Sequence, residues 1–167
     1  IRKKQKNSLD SNDWINLIKQ LPENSRVTLT GGEPLVFKNF KDVFLEAVKR
    51  HECNLICNGL LLTEEIIDLL LSTKNFKVLS ISIDNRKNTI RKLANVKETN
   101  WDKKWEHAER MMLYFQKRKK ELNHEACVLD SKTVVLDENA DDLLDIHKYC
   151  IEDLQCDTHS FQFLKGS

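Results

Sequence analysis

Long hydrophobic runs are missing from this 167-residue chain. Its longest, such as Leu60-Leu61-Leu62 and Leu69-Leu70-Leu71, fall far short of the ~20 residues that cross a bilayer, and no secretory leader pattern opens the sequence. The expectation is a cytoplasmic protein with no membrane partner. A surplus of charge is missing too. Lys and Arg number 27 against 26 Asp and Glu, so no global field draws the chain to nucleic acid or an anionic surface. An even cysteine count is also absent: Cys53, Cys57, Cys127, Cys150 and Cys156 make five, which argues against a disulfide framework and for free thiols. Cys53-x3-Cys57 is the only close pair, and the third cysteine of a three-thiolate loop would fall at position 60, where Leu60 stands. The five histidines are scattered without metal-ligand spacing, so no zinc site is expected. An initiator methionine is lacking as well, and Ile1 with Arg2-Lys3-Lys4-Gln5-Lys6 reads like the interior of a longer protein.

What remains is 40% hydrophobic and 32% charged residues, enough for one globular domain over 1–167. Asp10 to Asp13 offer capping side chains before Trp14, Leu17, Ile18 and Leu21, one apolar helical face closed by Pro22. Arg26 to Thr30 is a short β-branched strand that leaves through Gly31-Gly32-Glu33-Pro34. Asn39 is placed to cap a helix bearing Phe40, Val43, Phe44, Ala47 and Val48. Asn54 to Gly59 reads as strand plus turn, Thr63 starts a helix through Leu71, and Phe76 to Ile83 is a buried strand. After a polar stretch, Asp84 to Thr99, a long helix carries Trp105, Ala108, Met112, Phe115 and Leu122. Its Lys117-Arg118-Lys119-Lys120 run is expected to be a solvated face suited to the helix C-terminus. Trp105, four residues after Trp101, is expected to pack in the core rather than form a substrate surface. Ala126 to Leu136 is strand-like, Asn139 opens a helix through Leu154, and Ser160 to Leu164 closes with a strand.

Five helix–strand alternations imply right-handed βαβ units and a parallel sheet buried on both faces. Five strands cannot close an eight-stranded barrel, which takes about 250 residues. The sheet must be open or completed from elsewhere, with ligands at the carboxyl ends of its strands. Those ends hold the unusual residues: Gly31-Gly32-Glu33, Asn58-Gly59, and Ser82-Ile83-Asp84. Paired glycines let a ligand approach the backbone, and a carboxylate beside them can accept hydrogen bonds from an ammonium group.

Val27 to Leu35, with its Gly-Gly-Glu-Pro, resembles the second strand and Gly-Gly-Glu motif of the radical S-adenosylmethionine (SAM) superfamily. Cys57-Asn58-Gly59 resembles that family's third-strand Thr-Asn-Gly, and Ser80 to Asp84 its fourth-strand Ser-x-Asp. The resemblance implies an open parallel (β/α)6 partial TIM barrel, an α/β fold, with strands two to six in this chain. It implies SAM and a [4Fe–4S] cluster as cofactors. The cofactor-binding candidates are Gly31, Gly32, Glu33, Asn58, Ser82, Asp84 and Arg91, with Arg86 competing for the role of Arg91. Glu33 would meet the amino group of SAM, and Ser82 with the arginine its carboxylate or ribose. The family's Cys-x3-Cys-x2-Cys loop does not occur here, so the cluster ligands are expected upstream of Ile1. Other expected partners are a small-molecule or peptide substrate and an electron donor such as flavodoxin or ferredoxin. Two rivals stand beside this reading. One is a cluster-less, non-catalytic binding module on the same barrel. The other is an unrelated nucleotide-binding domain with Gly31-Gly32 as a phosphate turn, against which Glu33 puts a carboxylate where a phosphate wants N–H donors.

Overall fold

Asp10 begins the first helix with a reciprocal cap. Its carboxylate accepts from the amides of Asn12 and Asp13, while the Asp13 carboxylate accepts from the Asp10 amide, satisfying donors that a helix start leaves open. The computed structural model describes residues 9–84 and 101–163. In them α1 (Ser11–Lys19) leads to β1 (Arg26–Leu29) and, through a 3-10 turn at Pro34–Val36, to α2 (Phe40–Val48). Then come β2 (Glu52–Cys57), α3 (Glu64–Leu71) and β3 (Phe76–Ser82). Helix α4 (Trp101–Glu121) precedes β4 (Val128–Val135); α5 (Leu143–Lys148) continues as a π-helical turn, Tyr149–Asp153, before β5 (Thr158–Phe163).

The five strands lie side by side in chain order, and every pairing is parallel. Parallel neighbours need a crossover, and the helices between the strands supply it. The register runs Leu29↔Leu55↔Leu79↔Leu129, a row of leucines on one face, and all but Leu29 are fully buried. Phe44 of α2 meets Phe76 of β3 edge to face at 5.8 Å under this row, both with no exposed surface. Truncating either to alanine costs about 3–5 kcal/mol.

The fold class and the order of elements agree with the sequence; several local expectations do not. The sheet is buried on one face rather than two among the described residues. Along β2 burial alternates strictly, and the second face shows Thr28, Asn54, Lys132, Thr158 and Ser160 partly or wholly open to solvent. Period-2 alternation of polar and apolar residues is the signature of such a half-covered sheet. On α1, Ile18 is buried, while Trp14 is 40% and Leu17 47% exposed, because among the described elements that helix packs chiefly on α2, beside an edge strand. Asn39 makes no side-chain cap; its amide donates to Ser11 Oγ at 2.8 Å and ties the two helix starts together. Asn139 does not cap α5 either. Fully buried, it donates to the carbonyls of Asp84 (2.7 Å) and Val134 (2.9 Å) and accepts from the Leu136 amide, pinning the ends of β3 and β4. Lys119, expected in solvent, is 4% exposed. It follows Phe115 and Met112 by four and seven residues and so shares their inward stripe.

Candidate cofactor-binding site

Because all five strands run one way, their carboxyl ends share one rim, and Gly31, Gly32, Glu33, Asn58, Ser82 and Asp84 lie along it. Gly31 leaves β1 with φ +148°, a conformation that side chains rarely adopt. A side chain built at Gly31 or Gly32 would find nothing within 4 Å, so the turn lies open. Glu33 comes next, partly buried, and its carboxylate is the hub of the rim. Oε1 accepts from the Leu35 amide at 3.1 Å and Oε2 from the Asn58 amide, just past β2, at 2.9 Å. An ionised carboxylate offers about four acceptor positions. Two are used, and no described cation lies in ion-pair distance, so the group retains charge and lone pairs for a donor from outside. A cleft of about 440 Å³ opens on its α1 side, with Asp10, Ser11, Phe37 and Lys38 in its walls.

Asn58 adds its backbone to this hub, but its side chain serves the turn: Oδ1 accepts from the Leu60 amide at 2.9 Å. Gly59, at φ +77°, is buried so closely that a Cβ would stand 3.3 Å from Ile81 and 3.5 Å from Ala108. Ser82 ends β3 exposed. Asp84 is turned to the fold rather than to a ligand, its Oδ1 accepting from the Val134 amide at 2.9 Å. Arg91 and its competitor Arg86 lie outside the described residues. Trp105 packs in the core as expected, 2% exposed, donating to the Tyr149 hydroxyl at 2.9 Å; Tyr149 in turn donates to Glu109.

Besides Ser82, the open face carries polar residues that the sequence analysis does not nominate. In register across β3, β4 and β5 lie Ser80, Asp130 and Thr158, and one step toward the rim Ser82, Lys132 and Ser160. Both hydroxyls of the lower row donate to the Asp130 carboxylate at 2.7 Å. Their signal in the sequence is the polar alternation Asp130, Lys132 and Ser160, Gln162, overshadowed there by the β-branched content of the strand.

The described residues suit the two implied cofactors unequally. An open diglycine with an under-used carboxylate behind it fits a ligand bearing an ammonium group, as SAM does. A [4Fe–4S] cluster requires thiolates, and the five cysteines are all buried free thiols. Burial pushes Cys53, Cys57, Cys127 and Cys156 up to about 12 and Cys150 up to about 11, so none is a thiolate near neutrality. No three His, Cys, Asp or Glu among the described residues are grouped to hold a metal. These residues do not hold the cluster.

Comparison with known proteins agrees with this geometry. Among solved structures, hexahistidine-tagged anSMEcpe with bound AdoMet superposes with a TM-score of 0.68 at 18% identity, over 93% of this chain and 40% of that one. Native anSMEcpe with AdoMet and the Kp18Cys peptide gives 0.69 at 18% identity, over 93% and 42%. The chain thus spans about two fifths of the length of these structures, and the likeness concerns the fold. No curated protein sequence matches. The radical SAM superfamily profile matches residues 2–150, most of the chain, and with the Gly-Gly-Glu rim already described it establishes that this chain belongs to the radical SAM superfamily.

Proposed function

We propose that this chain is the SAM-binding part of a radical SAM enzyme whose cluster thiolates come from outside the described residues. The observation that carries the reading is Glu33, fixed by two backbone amides at the open Gly31-Gly32 turn with acceptor capacity to spare. SAM held by this chain beside a reduced [4Fe–4S] cluster would supply a 5′-deoxyadenosyl radical for hydrogen abstraction, one electron coming from the cluster and methionine leaving. The work of this chain is positioning. Glu33 accepts from the amino group of SAM, the diglycine lets the methionine moiety lie against the backbone, and exposed Ser82 offers a hydroxyl farther along the rim. Asn58 and Asp84 act indirectly, since their side chains hold the turn after β2 and the end of β4. The substrate class, small molecule or peptide, and a flavodoxin- or ferredoxin-like electron donor are parts of the same proposal. The Kp18Cys peptide bound with AdoMet in native anSMEcpe supports a peptide as one candidate substrate class.

Gly32→Ala in the full-length protein tests this directly. A methyl group there meets no protein atom within 4 Å, so folding is expected to be unchanged. SAM affinity is expected to fall about tenfold or more, as the ligand loses its approach to the backbone. Unchanged SAM affinity in the folded variant would end the assignment. Anaerobic reconstitution should also load about four irons per full-length protein. A protein that binds SAM but takes up no iron would instead be the non-catalytic binding module.

A further inference from the structure

We infer that His147 of α5 and His159 of the edge strand β5 form a proton-operated latch, which fastens the helix to the strand while the pair carries one charge or none and releases them when a second proton arrives. The latch lies on the helix-covered face of the sheet, away from the open face and its rim, and stands apart from the functional reading above.

Each hydrogen of the latch follows from its neighbours. On β4, Thr133 is fully buried and its hydroxyl donates to the Ile83 carbonyl, which can only accept. Thr133 Oγ1 lies 2.9 Å from His159 Nε2 with its one hydrogen already committed, so Nε2 is the donor there. In neutral His159 the other ring nitrogen, Nδ1, is then a bare acceptor. It faces His147 Nδ1 at 3.0 Å, so His147 donates through Nδ1. The two rings are within 20° of parallel and their centroids stand 5.3 Å apart, about the length of that bond plus a ring radius at each end. They therefore meet end to end, joined by one N–H···N hydrogen bond between helix and strand.

Protons enter such a pair in two steps. The first goes to Nε2 of exposed His147, whose ring becomes a cation that still donates through Nδ1, so the bond survives and gains charge assistance. The second has only His159 Nδ1 to go to. Two N–H groups then face each other with no acceptor between them, on two positive rings. The surroundings resist this step. Burial, and then the charge of His147, lower the pKa of His159, while Asp130 of β4 acts the other way. Phe161 lies across the His159 ring at 4.6 Å and keeps water from that side. Along α5, Asp145 and Lys148 flank His147 with opposite charges. Because the folded value of His159 is below the unfolded one of about 6.5, the contribution of the latch to stability is complete above that value and is lost as pH falls from there through the folded value. The strand released is a sheet edge, paired to β4 alone, and on its other face it carries Thr158, whose hydroxyl closes on Asp130. Acid therefore loosens one wall of the open face from behind.

Nitrogen-15 NMR of the histidine rings in the full-length protein tests this, the signals being assigned by their loss in His147→Gln and His159→Gln. At pH 8 His147 is expected in the uncommon Nδ1–H tautomer and His159 in the Nε2–H form. On acidification His147 should charge first and His159 about one pH unit lower or more. Hydrogen exchange, corrected for its intrinsic pH dependence, should show protection of the β5 amides falling about threefold or more between pH 7 and pH 5, in step with His159. His147→Gln, at an exposed helix position, removes the opposing charge and leaves a side-chain oxygen that can accept from charged His159. It should raise the His159 midpoint and flatten the loss of protection. An Nε2–H tautomer at His147 at pH 8 would overturn the latch, as would a common midpoint for the two rings or an equal loss of protection in His147→Gln.

Discussion

Glu33 and Asp157 are carboxylates at opposite ends of one sheet, and each accepts a hydrogen bond from the backbone of a neighbouring strand or turn. Asp157, just before β5, accepts from the Leu129 amide at 2.7 Å and from the Lys119 ammonium at 2.6 Å. Burial acts to raise its pKa, but the hydrogen bonds from Lys119, Leu129 and Gln116 outweigh it and hold the carboxyl below its usual range. Glu33, at the carboxyl rim, accepts from Leu35 and Asn58 and has no described cation paired to it. The first arrangement is a closed charge pair that fastens α4 to the sheet. The second is anchored in place and electrically incomplete. The difference separates an acid that holds the fold from one available to a ligand, although both look alike as acceptors of backbone amides.

The largest effect expected on this comparison comes from Asp157→Asn. It strands the ammonium of Lys119, which is 4% exposed, so the loss should be about 2 kcal/mol, below the 3–5 of a fully buried pair because Asp157 is partly in solvent. Thermal unfolding should show a midpoint about 4–8 °C lower. An unchanged midpoint would make Asp157 as dispensable to folding as a surface acid. Next is the pH dependence. Because the folded pKa of Asp157 lies below its unfolded value, the native state binds fewer protons, and the stabilisation is complete above the unfolded value. It is lost as pH falls through about 4 and below. Denaturant melts from pH 7 to pH 3 should lose less stability for Asp157→Asn than for the wild type; parallel curves would refute the linkage.

Gly59→Ala is expected to cost about 1–3 kcal/mol, since it combines φ +77° with a 3.3 Å contact to Ile81. Chemical denaturation would measure it. Glu33→Gln should cost about 1 kcal/mol, because one of the amides of Leu35 and Asn58 then faces an NH2 group instead of an acceptor. Its SAM affinity should fall further than its stability explains, about tenfold, since a charge-assisted contact becomes neutral. Calorimetric SAM titration alongside a melt separates the two effects. A fall in stability with no fall in SAM affinity would move Glu33 to the same class as Asp157. The smallest effect on stability, essentially none, belongs to Gly32→Ala, where only ligand binding should change.

Much of this was legible in the sequence, though unevenly. Asp10, Thr63 and Pro34 act locally, within a few residues of where they stand, and their turns and caps form as their chemistry suggests. The rim was legible because a strand that ends in glycine, acid or amide announces its carboxyl end. Asn39 and Asn139 misled because an amide that can cap a helix can equally donate to a partner 28 or 55 residues away, and nearby sequence does not say which partner is present. Lys119 misled because the charge run was read as a surface while the helical stripe that turns it inward was already marked by Met112 and Phe115.

By itself the sequence determined the alternation of helix and strand, the parallel α/β class and the Gly-Gly-Glu turn at a strand's end, since each follows from residue spacing within one element. Only the tertiary structure decided that, among the described residues, the sheet is covered on one face. It also decided that Glu33 is gripped by an amide 25 residues away, that Asp130 is closed by hydroxyls 50 residues before and 28 after it, and that Lys132 is left without a partner among the described residues. The physical reason is that a charged side chain is defined by what surrounds it. Local periodicity gives the direction in which it leaves the backbone, and only the packing of distant strands supplies, or withholds, the groups that meet it there.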